Sequence, residues 1–291
     1  MCTKQALSML LILLVLLSAA SAASADGDMR RAVLGADLTE EQITAVYQTF
    51  GMSRGTVPEL KVTNAEERHY LEGYVNDAII GTLSISSVYV ELLPAGAGLN
   101  VSTSNVSWCT AEMYISALAT AGISDAKVIV AAPFSVSGTA ALTGVYKAYE
   151  DMTGESLDDE AKQVSTQELT VTGDLANAIG SEDSTSIVGE LKDSLGDTSM
   201  MTDEQLRQQI IAIAANYGVS LTDRQIQQLI DLSRSLEGLN VESLQSRLEE
   251  AQDTLTKVTE AKDQVLGFWD KARGFISSVQ SFFEKISAML G

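Results

Sequence analysis

Few side chains in this sequence could act as nucleophiles. Beyond residue 25 the chain holds one thiol, Cys109, and one imidazole, His69, and enzymes use such a Cys/His pair for covalent catalysis. Cys109 lies at the start of a predicted helix, where free backbone N–H groups can lower the pKa of a thiol. Burial is the simpler interpretation of Cys109, however, and solvent exposure is the simpler interpretation of His69, which lies among charged residues. The pair is a candidate catalytic site without a supporting motif.

A second candidate site is the turn at residues 134–139, which joins a predicted central strand to a predicted helix. Turns at this place in α/β proteins often bind anions on free backbone N–H groups. The turn matches neither the G-x-x-x-x-G-K-[ST] phosphate loop nor the G-x-S-x-G elbow of hydrolases, and a helix N-cap at Ser137 or Gly138 explains it without a ligand. Ser137 is also a candidate nucleophile. The candidate ligand-binding residues are Asn105, Ser135, Ser137, Gly138 and Thr139.

Composition argues against several classes of function. With 19 basic and 39 acidic residues the formal net charge is −20, whereas a nucleic-acid partner requires clustered Lys and Arg. One His and two Cys cannot form the usual Cys/His zinc site, and the calcium-loop motif is absent, so we predict no metal site and no cofactor. Paired carboxylates for glycoside hydrolysis are available, but the Trp and Tyr that line sugar clefts are few.

The first 25 residues have the pattern of a secretory signal peptide. Lys4 precedes an apolar run, Met9–Leu17, and small residues follow up to Ala25. The run is short for a membrane span, although an uncleaved anchor remains an alternative. The pattern predicts cleavage near Ala25 and a secreted, cell-envelope-associated protein. Cleavage would also remove Cys2 and leave Cys109 without a partner for an intrachain disulfide.

Residues 26–153 alternate between β-rich and helical runs, which predicts an N-terminal α/β or α+β domain with a mixed sheet. Ile85, Val88 and Val90 alternate with polar residues and predict a half-buried strand, whereas the continuous apolar run Val128–Ala132 predicts a central one. The predicted strands are Arg31–Ala36, Glu59–Val62, Ile80–Leu93, Leu99–Ser102 and Lys127–Ala132. The predicted helices are Thr39–Phe50, Ala65–Val75, Thr110–Ala121 and Thr139–Met152.

From residue 154 onward the strand signals disappear and an all-α region is predicted. Residues 154–200 are interpreted as an acidic, mostly helical connector, in which Thr166–Thr172 could still form one short strand. Residues 201–291 contain a 20-residue helix repeat, because the motif that starts at Thr202 recurs at Thr222. Each copy predicts a capping box, and Gly218 and Gly238 are predicted left-handed C-terminal caps.

The end of the chain carries an apolar stripe at steps of three and four residues from Val258 to Met289, which predicts an amphipathic helix. Packing against the preceding helices is the simplest interpretation of the stripe. A partner helix or a membrane surface is the alternative. The candidate contact residues are Phe268, Trp269, Phe275, Phe282 and Phe283.

Five runs of the α/β region carry a family resemblance: Ala32–Thr39, Ser86–Val90, Ser104–Thr110, Ala117–Ile123 and Ala131–Gly144. With these runs the region, about residues 32–150, resembles the YpuA-like family of exported bacterial proteins, whose function is unknown. The resemblance implies a Gram-positive origin, export and a cell-envelope setting, and it supplies no catalytic residues.

These observations favour a non-catalytic interaction module of the envelope or the extracellular space, with a cell-wall component or a partner helix as its partner. A secreted hydrolase with its site at residues 105–110 and 135–139 is one alternative. Association with a membrane surface through the terminal helix is the other. The sequence alone does not predict the oligomeric state.

Overall fold

The computed structural model describes residues 28–71 and 77–249. Five strands form one sheet in the order β2-β1-β3-β5-β4. Strand β1 runs parallel to β2, β4 runs parallel to β5, and β3 is antiparallel to both of its neighbours. The mixed sheet predicted for the N-terminal region is thereby confirmed. The strands are β1 Arg30–Gly35, β2 Glu59–Val62, β3 Ser87–Leu92, β4 Leu99–Val106 and β5 Ala126–Val136.

Helices connect the strands and make up the described chain beyond β5, which confirms the predicted helical C-terminal region. Residues 241–249 continue it as a further helical segment. The helices are α1 Glu40–Phe50, α2 Asn64–Leu71, α3 Asp77–Ile80, α4 Ala111–Ala121, α5 Thr139–Thr153, α6 Asp159–Ile179, α7 Ser181–Asp193, α8 Leu195–Thr198, α9 Asp203–Asn216 and α10 Asp223–Gly238.

Apolar layers cover both faces of the sheet. On one face α1 packs against β5, and Phe50 contributes to a cluster with Tyr89. On the other face α4 and α5 cover the strands, and this core continues without interruption into α6, α7, α9 and α10. The segment interpreted from sequence as a connector therefore contains α6, which packs directly on α4.

Strand β3 differs from its prediction in length and burial. The predicted strand Ile80–Leu93 is wrong in its first half, because Ile80 ends α3 and Gly81 takes a left-handed backbone with φ of 72°. The prediction of half burial is also wrong. Since β3 is the middle strand, Val88 faces the core under α5 while Tyr89 faces the layer under α1, and both are buried.

The alternative of a short strand at Thr166–Thr172 is also wrong, because all of this segment lies inside α6. The hydroxyl groups of Thr166, Thr170 and Thr172 each donate to the carbonyl oxygen four residues earlier. The β-branched residues that suggested a strand thus satisfy their hydroxyls within the helix and pack into the core.

The predicted helix repeat is confirmed at its two starts. Thr202 and Thr222 each accept from the backbone N–H three residues on, and Gln205 and Gln225 complete the capping boxes. Gly218 has the predicted left-handed backbone, with φ of 69°. The matching prediction for Gly238 is wrong: it is the last residue of α10, and the following residue is extended.

A buried ion pair connects three helices in the core beneath α4. The Lys192 Nζ of α7 lies 2.8 Å from Oε1 of Glu168 on α6, and both side chains are sealed from solvent. Lys192 also donates to the Ser116 carbonyl oxygen at 3.1 Å. The hydroxyl groups of Ser116 and Thr120 donate to the Glu168 carboxylate. Burial lowers the pKa of Lys192.

Two sequence predictions lie outside the described residues: the signal peptide at 1–25 and the terminal stripe with Phe268, Trp269, Phe275, Phe282 and Phe283. Within residues 28–71 and 77–249, no helix has both the length and the apolar character needed to cross a membrane.

Candidate functional site

A cleft of about 230 Å³ lies beside the N-terminus of α5. Residues 79–83, 85 and 86 form one wall, and residues 136–140 form the other. The Glu67 side chain of α2 reaches the same space. We call this space the Glu67 cleft. It contains three of the five residues predicted as ligand-binding: Ser137, Gly138 and Thr139.

Gly138 fixes the turn at which α5 begins. It is the N-cap of α5 and has φ of 100°, a left-handed conformation that favours glycine. A Cβ atom here would lie 2.5 Å from Val106 Cγ1 and 2.7 Å from the Tyr114 hydroxyl oxygen. Tyr114 donates to the Gly138 carbonyl oxygen at 2.5 Å. The turn is therefore held against β4 and α4 at a position where only glycine fits.

Glu67 is an almost fully buried carboxyl group on the edge of this cleft. Its side chain is 1% exposed. Oε1 accepts from the Thr139 hydroxyl at 2.5 Å, and Oε2 lies 3.4 Å from the Asn64 amide nitrogen. Burial raises the pKa of Glu67 to about 7, against the opposing effects of these hydrogen bonds and of Arg68. Glu67 therefore changes its charge near neutral pH.

The position of Glu67 bears on the predicted anion site. Its carboxylate contacts Thr139, the first residue of α5, and so places a negative charge at the positive end of that helix. An anionic ligand at the same helix end would meet this carboxylate. The Glu67 cleft is therefore better suited to a neutral or cationic group than to a phosphate.

Ser137 lies at the end of a short chain of hydroxyl groups. Its Oγ is 3.2 Å from the Thr139 Oγ1, which in turn donates to Glu67. A threonine hydroxyl cannot hold the proton that a nucleophilic serine would release, and the carboxylate reaches Ser137 only through it. The arrangement positions hydroxyl groups along the cleft, but it lacks a base in contact with Ser137.

The two remaining ligand candidates lie elsewhere. Asn105 sits at a bulge between β4 and β5 with φ of 57°, and its amide donates to the Ala132 carbonyl oxygen at 2.8 Å. Ser135 is exposed near the end of β5, next to the exposed Phe134. Neither Asn105 nor Ser135 lines the Glu67 cleft.

The two members of the candidate Cys/His pair lie in different surroundings, Cys109 in the core and His69 at the surface. Cys109 is 2% exposed, and burial raises the pKa of its thiol to about 12, the opposite of the effect expected from a helix N-terminus. His69 is exposed and lines a different groove of about 440 Å³, which it shares with Tyr70 and Tyr146. Cys109 thus serves as a packing residue behind the turn at Gly138.

Glu67 is the site residue that sequence reasoning missed. It lies in the polar run Glu66–His69, where charged side chains are normally solvated. The available signal was the spacing of four residues between Glu67 and the apolar Leu71, which places both on one face of α2. Both are buried, whereas the neighbouring Glu66 pairs with Lys147 at the surface.

The described part of the chain contains no group of three or more His, Cys, Asp or Glu side chains arranged to hold a metal ion.

Comparison with known proteins places the chain in a family. The model of a family described as "Protein of unknown function (DUF1002)" matches residues 34–258. The chain is 37% identical over 256 residues to the "Uncharacterized protein YpuA" of Bacillus subtilis (strain 168), an alignment that covers 87% of this chain and 85% of that protein. No solved structure matches it. With the family model covering most of its length, the chain belongs to the DUF1002 family of proteins of unknown function.

Proposed function

We propose that this chain is an exported, non-catalytic protein of the bacterial cell envelope that binds a ligand in the Glu67 cleft. The export part of the proposal is supported by the charged, apolar and small-residue order of residues 1–25. The similarity to a Bacillus protein is compatible with a Gram-positive envelope.

The single observation that supports the proposed binding site is the buried carboxyl group of Glu67. Burying an ionisable group without a charged partner in contact costs folding free energy, and such groups concentrate at functional sites. Here the group lies on a cleft whose walls include Ile79, Ile80 and Leu83. The hydroxyl groups of Ser137 and Thr139 also line it, and a partly apolar cleft with a few convergent polar groups is the usual form of a small-ligand site.

The absence of catalysis in the proposal rests on the surroundings of the two candidate nucleophiles. The Cys109 thiol is buried and its pKa is raised, so little thiolate forms near neutral pH. Ser137 has a threonine hydroxyl as its neighbour instead of an imidazole or a carboxylate. Binding requires neither an activated nucleophile nor a base, and the cleft supplies hydroxyl groups and one titratable carboxyl.

Co-sedimentation with purified Gram-positive cell wall tests the binding site. The chain from residue 26 onward is compared with Thr82→Trp, which places a large ring at the rim of the Glu67 cleft, and with Thr56→Trp on an exposed loop as the matched control. We expect the bound fraction to fall at least about fivefold for Thr82→Trp and to stay unchanged for Thr56→Trp. Equal binding by all three proteins would remove the cleft from the proposal.

Export is tested separately in a Gram-positive host. The full chain is expected in the wall and medium fractions with an N-terminus near Asp26, and a chain lacking residues 1–25 is expected to stay in the cell. A full-length product found only inside the cell would contradict the export part of the proposal.

A secreted hydrolase is the second candidate, and the hydroxyl chain from Ser137 through Thr139 to Glu67 is the observation that favours it. Labelling with a fluorophosphonate probe and hydrolysis of p-nitrophenyl esters distinguish the two functions. The binding proposal expects neither reaction. Labelling that disappears in Ser137→Ala would establish the hydrolase instead.

A further inference from the structure

The two edges of the sheet differ in how they are protected from pairing with another strand. At one edge β2 has four residues, follows Pro58 and carries Glu59 and Lys61. Short length, proline and charge are the features that keep an edge strand unpaired. At the other edge β4 has eight residues, Leu99–Val106, and none of them is charged or proline. The edge at β4 therefore lacks the protection that β2 has.

The backbone direction identifies which groups of β4 are free for pairing. The Ala126 N–H of β5 donates to the Gly98 carbonyl oxygen, so the backbone polar groups of Gly98 point toward β5. Because successive residues of a strand point in opposite directions, Val101 and Thr103 direct their N–H and C=O groups away from β5. Within the described residues β5 is the one strand beside β4. Both residues are partly exposed, and Ser102 between them is exposed.

We propose that two copies of this chain associate through their β4 strands, paired antiparallel about a two-fold axis at Ser102. In this register Val101 of one copy exchanges backbone hydrogen bonds with Thr103 of the other, and the reverse pair repeats the contact. The outward side chains that meet are Ser102 with Ser102 and Asn100 with Ser104. All of them are small and uncharged, which suits close cross-strand pairs.

The β4 edge is a place where a second copy of this acidic chain meets no charge on the pairing strand itself. The chain carries a formal net charge of −20, so two copies repel each other over most of their surface. From Leu92 to Ala111, however, no residue is charged. The β4 edge lies within this uncharged stretch, and the nearest charge on β5 is Lys127, one strand further in beside Asn100, so two β4 strands can meet without like charges in direct contact.

The bulge at Asn105 limits the pairing to the first part of β4. Its left-handed backbone and its amide contact with Ala132 turn the chain away from a regular strand after Ser104. The paired segment is short, and edge pairing alone buries less surface than a permanent dimer requires. We therefore expect a reversible, concentration-dependent dimer.

Sedimentation equilibrium of the chain from residue 26 onward tests the proposal with a pair of charge variants. Ser102→Asp and Ser102→Lys each place two like charges across the axis, and we expect each to weaken self-association at least about tenfold. An equimolar mixture of the two variants places opposite charges across the axis and should restore association. Gln48→Asp and Gln48→Lys on the exposed surface of α1 are the matched controls.

Three results would overturn the proposal. The first is a wild-type chain that stays monomeric at all concentrations. The second is a dimer that neither Ser102 variant weakens, which would place the contact elsewhere, for example at the apolar stripe near the C-terminus. The third is a mixture that associates no better than either variant alone. Unchanged circular dichroism and melting temperature establish that the Ser102 variants are folded.

Discussion

Thr139 and Glu67 lie 72 positions apart in the sequence and share a hydrogen bond of 2.5 Å. This contact joins the middle of α2 to the first residue of α5 at the edge of the Glu67 cleft. It holds an ionisable group in an almost fully buried position. The stability of the fold and the chemistry of the cleft therefore depend on the same carboxyl group.

Glu67→Gln should make the protein more stable above neutral pH. The pKa of Glu67 is about 7 in the folded chain against about 4.5 for a solvated glutamate, so unfolding releases its proton between these pH values. The stabilisation from the protonated form is fully present below pH 4.5 and is lost as the pH rises through 7. A neutral glutamine avoids this loss, and the gain is about 3 kcal/mol at pH 8.

Urea unfolding at pH 4 and pH 8 measures the free energy of unfolding of wild type and of Glu67→Gln. The titration of the other carboxyl groups is common to both proteins and cancels when the two free energies are subtracted. The variants should differ little at pH 4. Glu66→Gln, at a surface carboxylate that pairs with Lys147, is the control and should show no gain at pH 8. A stability difference between Glu67→Gln and wild type that is the same at pH 4 and pH 8 would contradict the raised pKa of Glu67.

Gly138→Ala should destabilise the fold by about 2–4 kcal/mol, since it combines an unfavourable left-handed backbone with contacts below 3.0 Å. Gly122→Ala is the matched control: Gly122 has φ of 98°, close to that of Gly138, but no atom lies within 4 Å of its Cβ position. The control should lose only about 1–2 kcal/mol. Equal losses in thermal or urea unfolding would show that Val106 and Tyr114 do not confine Gly138.

Local sequence patterns predicted those elements whose signals are themselves local. Strand β2 has the bounds that were predicted, and the capping boxes at Thr202 and Thr222 appear as predicted. Strand β3 did not follow its pattern, because burial on both faces depends on which strand occupies the middle of the sheet. That order is set by long-range pairing with β1 and β5, which periodicity does not contain.

The sequence predicted the part of the candidate site that depends on local order and missed the part that depends on long-range packing. The turn from Ser137 to Thr139 follows from the order of strand and helix in the sequence. Glu67 comes from an earlier helix, and its burial results from the packing of α2 on α5. Nothing within the polar run around it distinguishes a buried carboxylate from a solvated one, so the sequence favoured Asn105 and Ser135 instead.

Cys109 should resist alkylation in the folded protein. Its thiol is buried and its pKa is about 12, so both access and thiolate content are low at pH 8. We expect iodoacetamide to modify the unfolded chain in guanidinium at least about a hundredfold faster than the native chain, as measured by intact mass. Native Cys109 that reacts at the unfolded rate would return it to the list of candidate nucleophiles.

Lys192→Met should be among the most damaging single substitutions in the described core, with a loss of about 3–5 kcal/mol. The variant leaves the Glu168 carboxylate sealed in the core beside Ser116 and Thr120 without its cation. The control is Lys147→Met, which removes an ion pair whose members are both about 40% exposed and should cost about 0–1 kcal/mol.

A double substitution separates the cost of an unpaired charge from the cost of lost packing. Lys192→Met combined with Glu168→Leu removes both charges, so the double variant should be more stable than Lys192→Met alone. Urea unfolding of the wild type, the two single variants and the double variant measures the coupling free energy. If the losses of the two single variants simply add, the carboxylate of Glu168 is not stabilised by Lys192, and the pair holds α6 and α7 together by packing alone.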